Sequence, residues 1–409
     1  MKKNIFFFSV IFLSLLAFSP VPAQSDPYVI LISFDGFRWD YPLRGITPVL
    51  DSLSNEGSSA LSLESCFPSK TFPNHYSIIT GQYPVNHGIV SNVFKDFRTG
   101  RTFAMWDETQ KYDPSWYNGE AFWETAEKNS ILSASFFWPG SEINDSIRRP
   151  AYFKYYDHEK PYLERIQGVI EWLKLPYNKR PHFITVYFDA ADTYGHSFGP
   201  DSDQLNQSLQ LLDSLLSIII GKVRNIGLAD STDFIVVSDH GMTPVSNDRI
   251  INVDEILDGI EFESVESGPV MFIKFRDEFK MNGLDKLKQP GLHFGAYTNQ
   301  NLPQHWHYDN NQYLGDVLLV AEPGWSLIRN DSSGNPYKLR SKGAHGYDNH
   351  FLDMHGIFYA VGPHFKKGYR TGTLKNIDIY PLLCKIFKIS PDHKIDGDIN
   401  RIGFILNTE

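Results

Sequence analysis

Tyr28-Val-Ile-Leu-Ile-Ser-Phe34 runs directly into Asp35-Gly36, and this junction decides the fold. An uncharged run with no polar alternation describes a strand buried on both faces, the habit of parallel sheets covered by helices. Comparable runs recur at 131–137, 183–188, 234–237 and 357–361. Between two of them Leu205, Leu209, Leu212, Leu216 and Ile219 keep the 3.6-residue period of an amphipathic helix over 204–224. Strands alternating with helices predict an α/β fold with a mostly parallel sheet and helices on both faces. From Asn252 to Arg340 the texture changes. Residues 270–275 and 317–320 read as strands and 284–287 as a short helix, which predicts a small inserted α+β subdomain over 252–340. The core is then built from 24–251 and 341–409.

The 409 residues carry 38 Lys or Arg against 48 Asp or Glu, a net charge of −10, with 42% hydrophobic and 21% charged residues. That composition excludes a disordered or fibrous chain. An acidic balance without a Lys/Arg-rich run argues against binding of a nucleic-acid polymer or an anionic membrane. A small anionic substrate remains compatible, because bound cations can supply the positive charge. Met1-Lys2-Lys3, the apolar run 4–18, the break at Ser19-Pro20 and the small residues of Val21-Pro22-Ala23 read as a signal peptide over 1–23, cleaved near Ala23. The apolar run is shorter than the ~18 residues of a span. An exported chain, periplasmic or secreted and without a stable membrane anchor, is expected. Cys66 and Cys384 are the only cysteines. They make no disulfide framework; export would permit a single bridge between them, and two separate buried thiols is the plainer reading.

Acidic and histidine residues fall where the strands end. Asp35 follows the first strand; Asp189 and Asp192 follow 183–188, with His196 four residues further on; Asp239-His240 close the strand at 234–237; His345 precedes the last strand. In an open α/β sheet such positions converge on one edge. Three Asp and three His gathered there would repel unless cations neutralise them, and mixed Asp/His ligation suits Zn²⁺ better than Ca²⁺ or Mg²⁺. A single Asp–His pair is more often a surface or capping feature; the joint placement at strand ends is what points to metal.

The stretch Pro68-Ser-Lys-Thr71-Phe-Pro73 through Gly81 predicts a helix with Pro73 in its first turn and Gly81 at its end. Thr71 then lies at the amino end, where free N–H groups and the dipole favour an anion. Its plainer role is a helix cap. Metal coordination would make its hydroxyl a nucleophile at neutral pH.

Together these segments resemble the nucleotide pyrophosphatase/phosphodiesterase family of the alkaline phosphatase superfamily. The matching motifs are Phe34-Asp-Gly-Phe37, Lys70-Thr-Phe-Pro-Asn-His-Tyr76, His87-Gly-Ile-Val-Ser-Asn92, Phe137-Trp-Pro-Gly140, Asp192-Thr-Tyr-Gly-His-Ser-Phe-Gly-Pro200, Ser238-Asp-His-Gly-Met242 and Gly343-Ala-His-Gly-Tyr-Asp-Asn349. The resemblance implies an alkaline-phosphatase-like core and two Zn²⁺ per chain. One ion would be held by Asp35, Asp239, His240 and Thr71, the other by Asp192, His196 and His345. It implies Thr71 as nucleophile, a phosphothreonine-type adduct and net retention at phosphorus. Asn92 and the backbone N–H near Phe72 would hydrogen-bond a non-bridging phosphoryl oxygen. The implied partner is a small-molecule nucleotide, with Phe72 and Tyr156 stacking on the base and Trp138 shaping the same pocket.

Other chemistries on such a site are a phospholipid-headgroup diesterase and a phosphate monoesterase, for which Lys70 is the one nearby cation. Cys66-Phe-Pro68-Ser-Lys70 approaches the Cys-x-Pro-x-Arg pattern of formylglycine sulfatases, but Lys70 replaces the Arg and the full Asp/His set argues against it. A non-catalytic binding protein would be expected to have lost a ligand or the nucleophile, and none is missing. His158, His305 and His307 carry no assigned role.

Overall fold

Every residue of β1 (Tyr28–Phe34) is buried, as its unbroken apolar run requires. The computed structural model describes residues 27–335, 337–391 and 394–407; the signal peptide expected over 1–23 lies outside them. Seven further strands complete the main sheet: β2 (Ser58–Ala60), β3 (Ser133–Phe136), β4 (Tyr152–Lys154), β5 (Phe183–Phe188), β6 (Thr232–Val237), β7 (Phe358–Val361) and β8 (Tyr369–Thr371). Their order is β8-β2-β7-β6-β1-β5-β3-β4. Strands β4, β3, β5, β1 and β6 are mutually parallel, and β7 runs antiparallel between β6 and β2.

Alternation along β1 splits its side chains between two cores. Val29 and Leu31 pack with Ile78, Ile79, Leu382 and Leu383 on one face. Ile30, Ile32 and Phe34 pack with Leu205, Leu209, Leu212, Leu216 and Ile219 on the other. Each buried aliphatic side chain contributes about 1.5–3 kcal/mol, so the sheet is held from both sides. The helix predicted over 204–224 spans Asp203–Asn225, and the Ser202 side chain caps it by accepting from the Leu205 N–H at 3.1 Å.

The strand predicted over 131–137 is confined to Ser133–Phe136; at its end Phe137 takes a left-handed φ of 68° and turns the chain out of the sheet. A second sheet of four antiparallel strands lies in the region of changed texture, in the order Phe262–Val265, Val270–Phe275, Val317–Ala321, Phe294–Tyr297. The helix predicted at 284–287 occupies Lys280–Lys286 instead. One face of this sheet, through Val270, Phe272, Leu318 and Val320, joins the apolar cluster that holds Val29 and Leu31. Short pairing of Thr243–Pro244 with Gly343–Ala344 brings the chain before and after this region together, which sets His345 beside the end of β6.

Candidate active site

Because β1, β5 and β6 are parallel neighbours, their carboxyl ends bring Asp35, Asp192 and Asp239 to one edge. The Asp35 N–H donates to the Phe188 carbonyl at 2.9 Å, and the Asp192 N–H donates to the Asp35 carbonyl at 3.0 Å. Gly36 has φ 67°, and a Cβ there would meet the Asp192 Cα at 2.8 Å. Only glycine lets the turn after β1 approach the following helix, Ala190–Phe198, this closely. One turn along that helix, His196 Nε2 lies 3.3 Å from Asp192 Oδ1, and His345 Nε2 lies 3.5 Å from the same oxygen. His240 Nε2 lies 3.3 Å from Asp35 Oδ1 and 3.1 Å from Asp239 Oδ2. The His240 and His345 rings stack at 3.5 Å. All six predicted ligand residues are thus gathered into one cluster.

The tautomers follow from the backbone. His196 Nδ1 donates to the Gly343 carbonyl at 2.8 Å, His240 Nδ1 to that of Gly241 at 2.9 Å and His345 Nδ1 to that of Ser69 at 2.8 Å. A neutral imidazole with its Nδ1 proton so engaged presents an Nε2 lone pair. These lone pairs face carboxylates. Asp35 Oδ1, Asp192 Oδ1 and Asp239 Oδ2 are buried without a hydrogen-bond partner. Lone pairs facing unpartnered carboxylate oxygens repel each other, and a divalent cation between them removes the conflict. The residues therefore fit a metal centre of mixed Asp/His ligation.

The electrostatics agree. Burial, then the neighbouring Asp239 and Asp192 charges, raise Asp35 well above the usual carboxylate range, and burial also raises Asp239. Burial works in the same direction on Asp192, but the charge on His196, whose own value Asp192 raises against burial, outweighs it and holds Asp192 low. Burial pushes His240 down to about 3 and His345 well below its ordinary value. At neutral pH these two imidazoles are uncharged and available as ligands.

Thr71 opens the helix Thr71–Thr80, which Gly81 ends with φ 66°. Lys70, in extended conformation, is the residue at the cap position, so Thr71 is the first helical residue and not the cap. Its hydroxyl lies 3.2 Å from His240 Nε2. His75, one turn further along, donates from Nδ1 to the Thr71 carbonyl at 2.9 Å, with that nitrogen 3.3 Å from Asp239 Oδ2; its Nε2 is 2.8 Å from Ser33 Oγ. Tyr187 donates its hydroxyl to Asp35 Oδ2. Sequence reading assigned His75 and Tyr187 no role. The four-residue spacing of His75 from Thr71 was the available signal for the first. The second arises from register, Ser33 pairing with Tyr187, and had none.

Two cavities meet at Thr71, Met105 and Asp192. The first holds Phe72, Phe137, Trp138, Tyr156 and Tyr187, with Lys111 and Glu142. The second, of about 750 Å³, includes Asn92, Trp106, His196, Glu266 and His345. Phe72 is half-buried and Tyr156 is 37% exposed, so both have ring surface to offer. Trp138 is only 1% exposed, and its indole N–H donates to the His75 carbonyl at 3.0 Å; it is part of the cavity wall. The Phe72 N–H, expected to point at a ligand oxygen, donates instead to Asn92 Oδ1 at 2.9 Å. That bond orients the Asn92 amide, and its Nδ2 takes no partner among the described residues.

Lys70 forms a buried ion pair with Glu266 at 2.8 Å, and Glu266 also accepts from Ser91 Oγ. Asp189 is tied to Arg165 at 3.0 Å and lies 3.1 Å from His158 Nδ1, outside the ligand cluster. Cys66 and Cys384 are both buried and unpaired. Burial pushes the Cys66 thiol up to about 12, and its Sγ lies 3.2 Å from Asn376 Oδ1.

Comparison with known proteins gives a consistent result. Residues 29–348 match the family described as type I phosphodiesterase / nucleotide pyrophosphatase. The chain is 36% identical over 369 residues to the bis(5'-adenosyl)-triphosphatase of Xenopus laevis, covering 90% of this chain and 79% of that protein. It is 33% identical over 395 residues to ectonucleotide pyrophosphatase/phosphodiesterase family member 1 of Mus musculus, covering 93% of this chain but 43% of that longer protein. The chain thus spans less than half the length of that relative. The solved structure of murine ectonucleotide pyrophosphatase/phosphodiesterase 5 superposes with a TM-score of 0.87 at 29% identity, over 93% of this chain and all of the other. An inactive threonine-to-alanine form of the same murine protein, solved in complex with AMP, superposes equally well. The chain belongs to the type I phosphodiesterase/nucleotide pyrophosphatase family, with the α/β core of the alkaline phosphatase superfamily.

Proposed function

We propose that this chain is an exported two-zinc phosphodiesterase and nucleotide pyrophosphatase that releases nucleoside monophosphates through a nucleotidyl-Thr71 intermediate. One observation carries the reading: three buried, unpartnered carboxylate oxygens and three imidazole Nε2 atoms converge beside the Thr71 hydroxyl. Asp35, Asp239, His240 and Thr71 would hold one ion, and Asp192, His196 and His345 the other. Zinc bound there supplies the Lewis-acid charge that makes a threonine hydroxyl acidic and stabilises phosphoryl oxygens.

The chain's own residues do the rest. Thr71 Oγ1, its proton given up to water, attacks phosphorus in line, forming the new O–P bond as the bond to the leaving oxygen breaks and that oxygen departs with a proton from water. Water then hydrolyses the adduct and restores the hydroxyl, and two inversions give net retention. Asn92, oriented by the Phe72 N–H, donates from Nδ2 to a non-bridging oxygen, a contact worth ~3 kcal/mol in comparable oxyanion sites. Phe72 and Tyr156 flank the nucleobase at ~1–3 kcal/mol per stack. Lys70 is committed to Glu266, and Lys111, the cation of the cavity that reaches Thr71, faces Glu142 at 3.7 Å, so both are already matched by a carboxylate and neither is left for the extra negative charge of a monoester, which favours diesters.

The bis(5'-adenosyl)-triphosphatase relative and the AMP-bound neighbour support a nucleotide substrate. No described helix is long and apolar enough to cross a membrane, and the signal peptide over 1–23 and inserted subdomain over 252–340 belong to the same reading. The test compares the nitrophenyl ester of thymidine monophosphate, bis-nitrophenyl phosphate and nitrophenyl phosphate, before and after chelation and zinc return. Nucleotide diester turnover should dominate, vanish on chelation and recover with zinc. Dominant monoester turnover would reject the reading.

A further inference from the structure

Outside the strand-end cluster, His305, Asp348 and His350 bring one carboxylate oxygen and two imidazole nitrogens within 4.8 Å of one another. His305 Nε2 lies 2.9 and 3.1 Å from the two Asp348 oxygens, and the His305 and His350 rings stack at 3.7 Å. The placement of His305 is not loose. It sits on the helical turn Gln304–Trp306, whose Trp306 is buried and stacked on Phe67 at 3.9 Å. The neighbouring Asn349 adds a polar group beside His305, in a small cavity that Lys375 also lines and that Asp348 and His350 do not. Asn349, between the two other residues in sequence, is 4% exposed, and its Oδ1 is buried without a partner. Asn349 lines one small cavity with Glu64 and His305, and the Glu64 carboxylate lies 3.8 Å from His350 Nε2.

We propose that His305, Asp348 and His350 form an additional divalent-metal site of the Zn²⁺ class. Two imidazoles and one carboxylate, with water in the fourth position, are a recurrent zinc donor set, with bonds of ~2.0–2.2 Å. Tetrahedral ligation at those lengths needs the donor atoms drawn together to roughly 3.3–3.5 Å. Asp348 and His305 Nε2 stand at hydrogen-bond distance, so the cation would replace the shared proton and part the two atoms by a few tenths of an ångström. His350, with a side chain 56% exposed, is free to swing its ring off the stack and complete the set. The site would tie the turn at His305 to the loop that also carries His345, across the 43 residues of sequence that separate His305 from Asp348.

The experiment is a count of zinc bound by the purified chain after equilibrium dialysis against buffered free zinc. It compares the natural sequence with His350→Ala and with His305→Ala/His350→Ala. Both variants should hold one equivalent less than the natural chain, and zinc should raise the melting temperature of the natural chain by more than it raises theirs. The difference of one equivalent is independent of how many ions the strand-end cluster takes, so it stands or falls separately from the proposed chemistry. Because His350 is largely exposed, the single variant keeps a folded comparison even if the double variant does not fold. Equal zinc content in the natural chain and His350→Ala would overturn the proposal and leave a His–Asp ion pair with a stacked neighbour.

Discussion

The Thr71 hydroxyl stands 3.2 Å from His240 Nε2, and the backbone determines which way the proton points. His240 Nδ1 donates to the Gly241 carbonyl, so Nε2 is the acceptor and Thr71 the donor. Burial pushes His240 down to about 3, which leaves Nε2 unprotonated at neutral pH, free to accept from Thr71 or to hold a cation beside it. The nucleophile is therefore turned toward the carboxylate–imidazole cluster and away from its own helix.

Thr71→Ala should lower nucleotide diester hydrolysis by at least about 10³-fold, the scale on which removal of a covalent nucleophile acts. Thr71→Ser, which keeps the oxygen and loses only a methyl group, should retain measurable turnover. Initial rates at saturating and limiting substrate, with circular dichroism as a check on folding, decide between them.

His75 holds the Thr71 carbonyl from Nδ1, and that nitrogen stands 3.3 Å from Asp239 Oδ2, a positioning role outside the proposed ligand set. His75→Ala should weaken zinc binding or activity by about 10–100-fold, the usual cost of losing a partner of a metal ligand. Excess zinc should restore part of the rate. Zinc-dependence curves for the two proteins check this, and identical curves would remove His75 from the account.

Lys70 and Glu266 have side chains only 10% and 7% exposed. Glu266→Gln should reduce the unfolding free energy by about 3–5 kcal/mol, because it leaves the ammonium buried without its partner. Lys70→Met combined with Glu266→Leu should recover most of that loss. Urea denaturation of the three proteins gives the comparison.

Glu142, in the cavity beside Tyr156, is raised by burial to about 7 against the pull of Lys111. The folded chain therefore binds this proton more tightly than the unfolded chain. The resulting stabilisation is fully present below about 4.5 and is lost as pH rises to about 7. At ~1.4 kcal/mol per pH unit, the change amounts to about 3 kcal/mol. Glu142→Gln should remove this component, so the stability difference between the two proteins should vary by that amount between pH 4.5 and 7.5. A constant difference would contradict it.

Much of this architecture was legible in the sequence because the relevant signals are local. The unbroken run before Asp35 could only be a strand covered on both faces, and the leucine period could only be the helix that covers one of them. The strand-end rule then converted positions in sequence into a common edge. What escaped was decided by tertiary register. The turn of Phe137 out of the sheet depends on a left-handed φ that no residue preference announces for phenylalanine. The pairing of Tyr187 with Asp35 follows from alignment of β1 with β5. The Phe72 N–H was expected to serve a ligand, whereas Asn92 folds back to accept it. The direction of Lys70 was set by Glu266, almost 200 residues away and held at φ 66°.

Rapid quench of the zinc-loaded protein with the nitrophenyl ester of thymidine monophosphate, followed by peptide mass mapping, tests the central claim most directly. One thymidylyl group should appear on the peptide that contains Thr71, forming no more slowly than nitrophenol release and disappearing as substrate is exhausted. Undiminished turnover with that peptide unmodified at every time point would contradict the account.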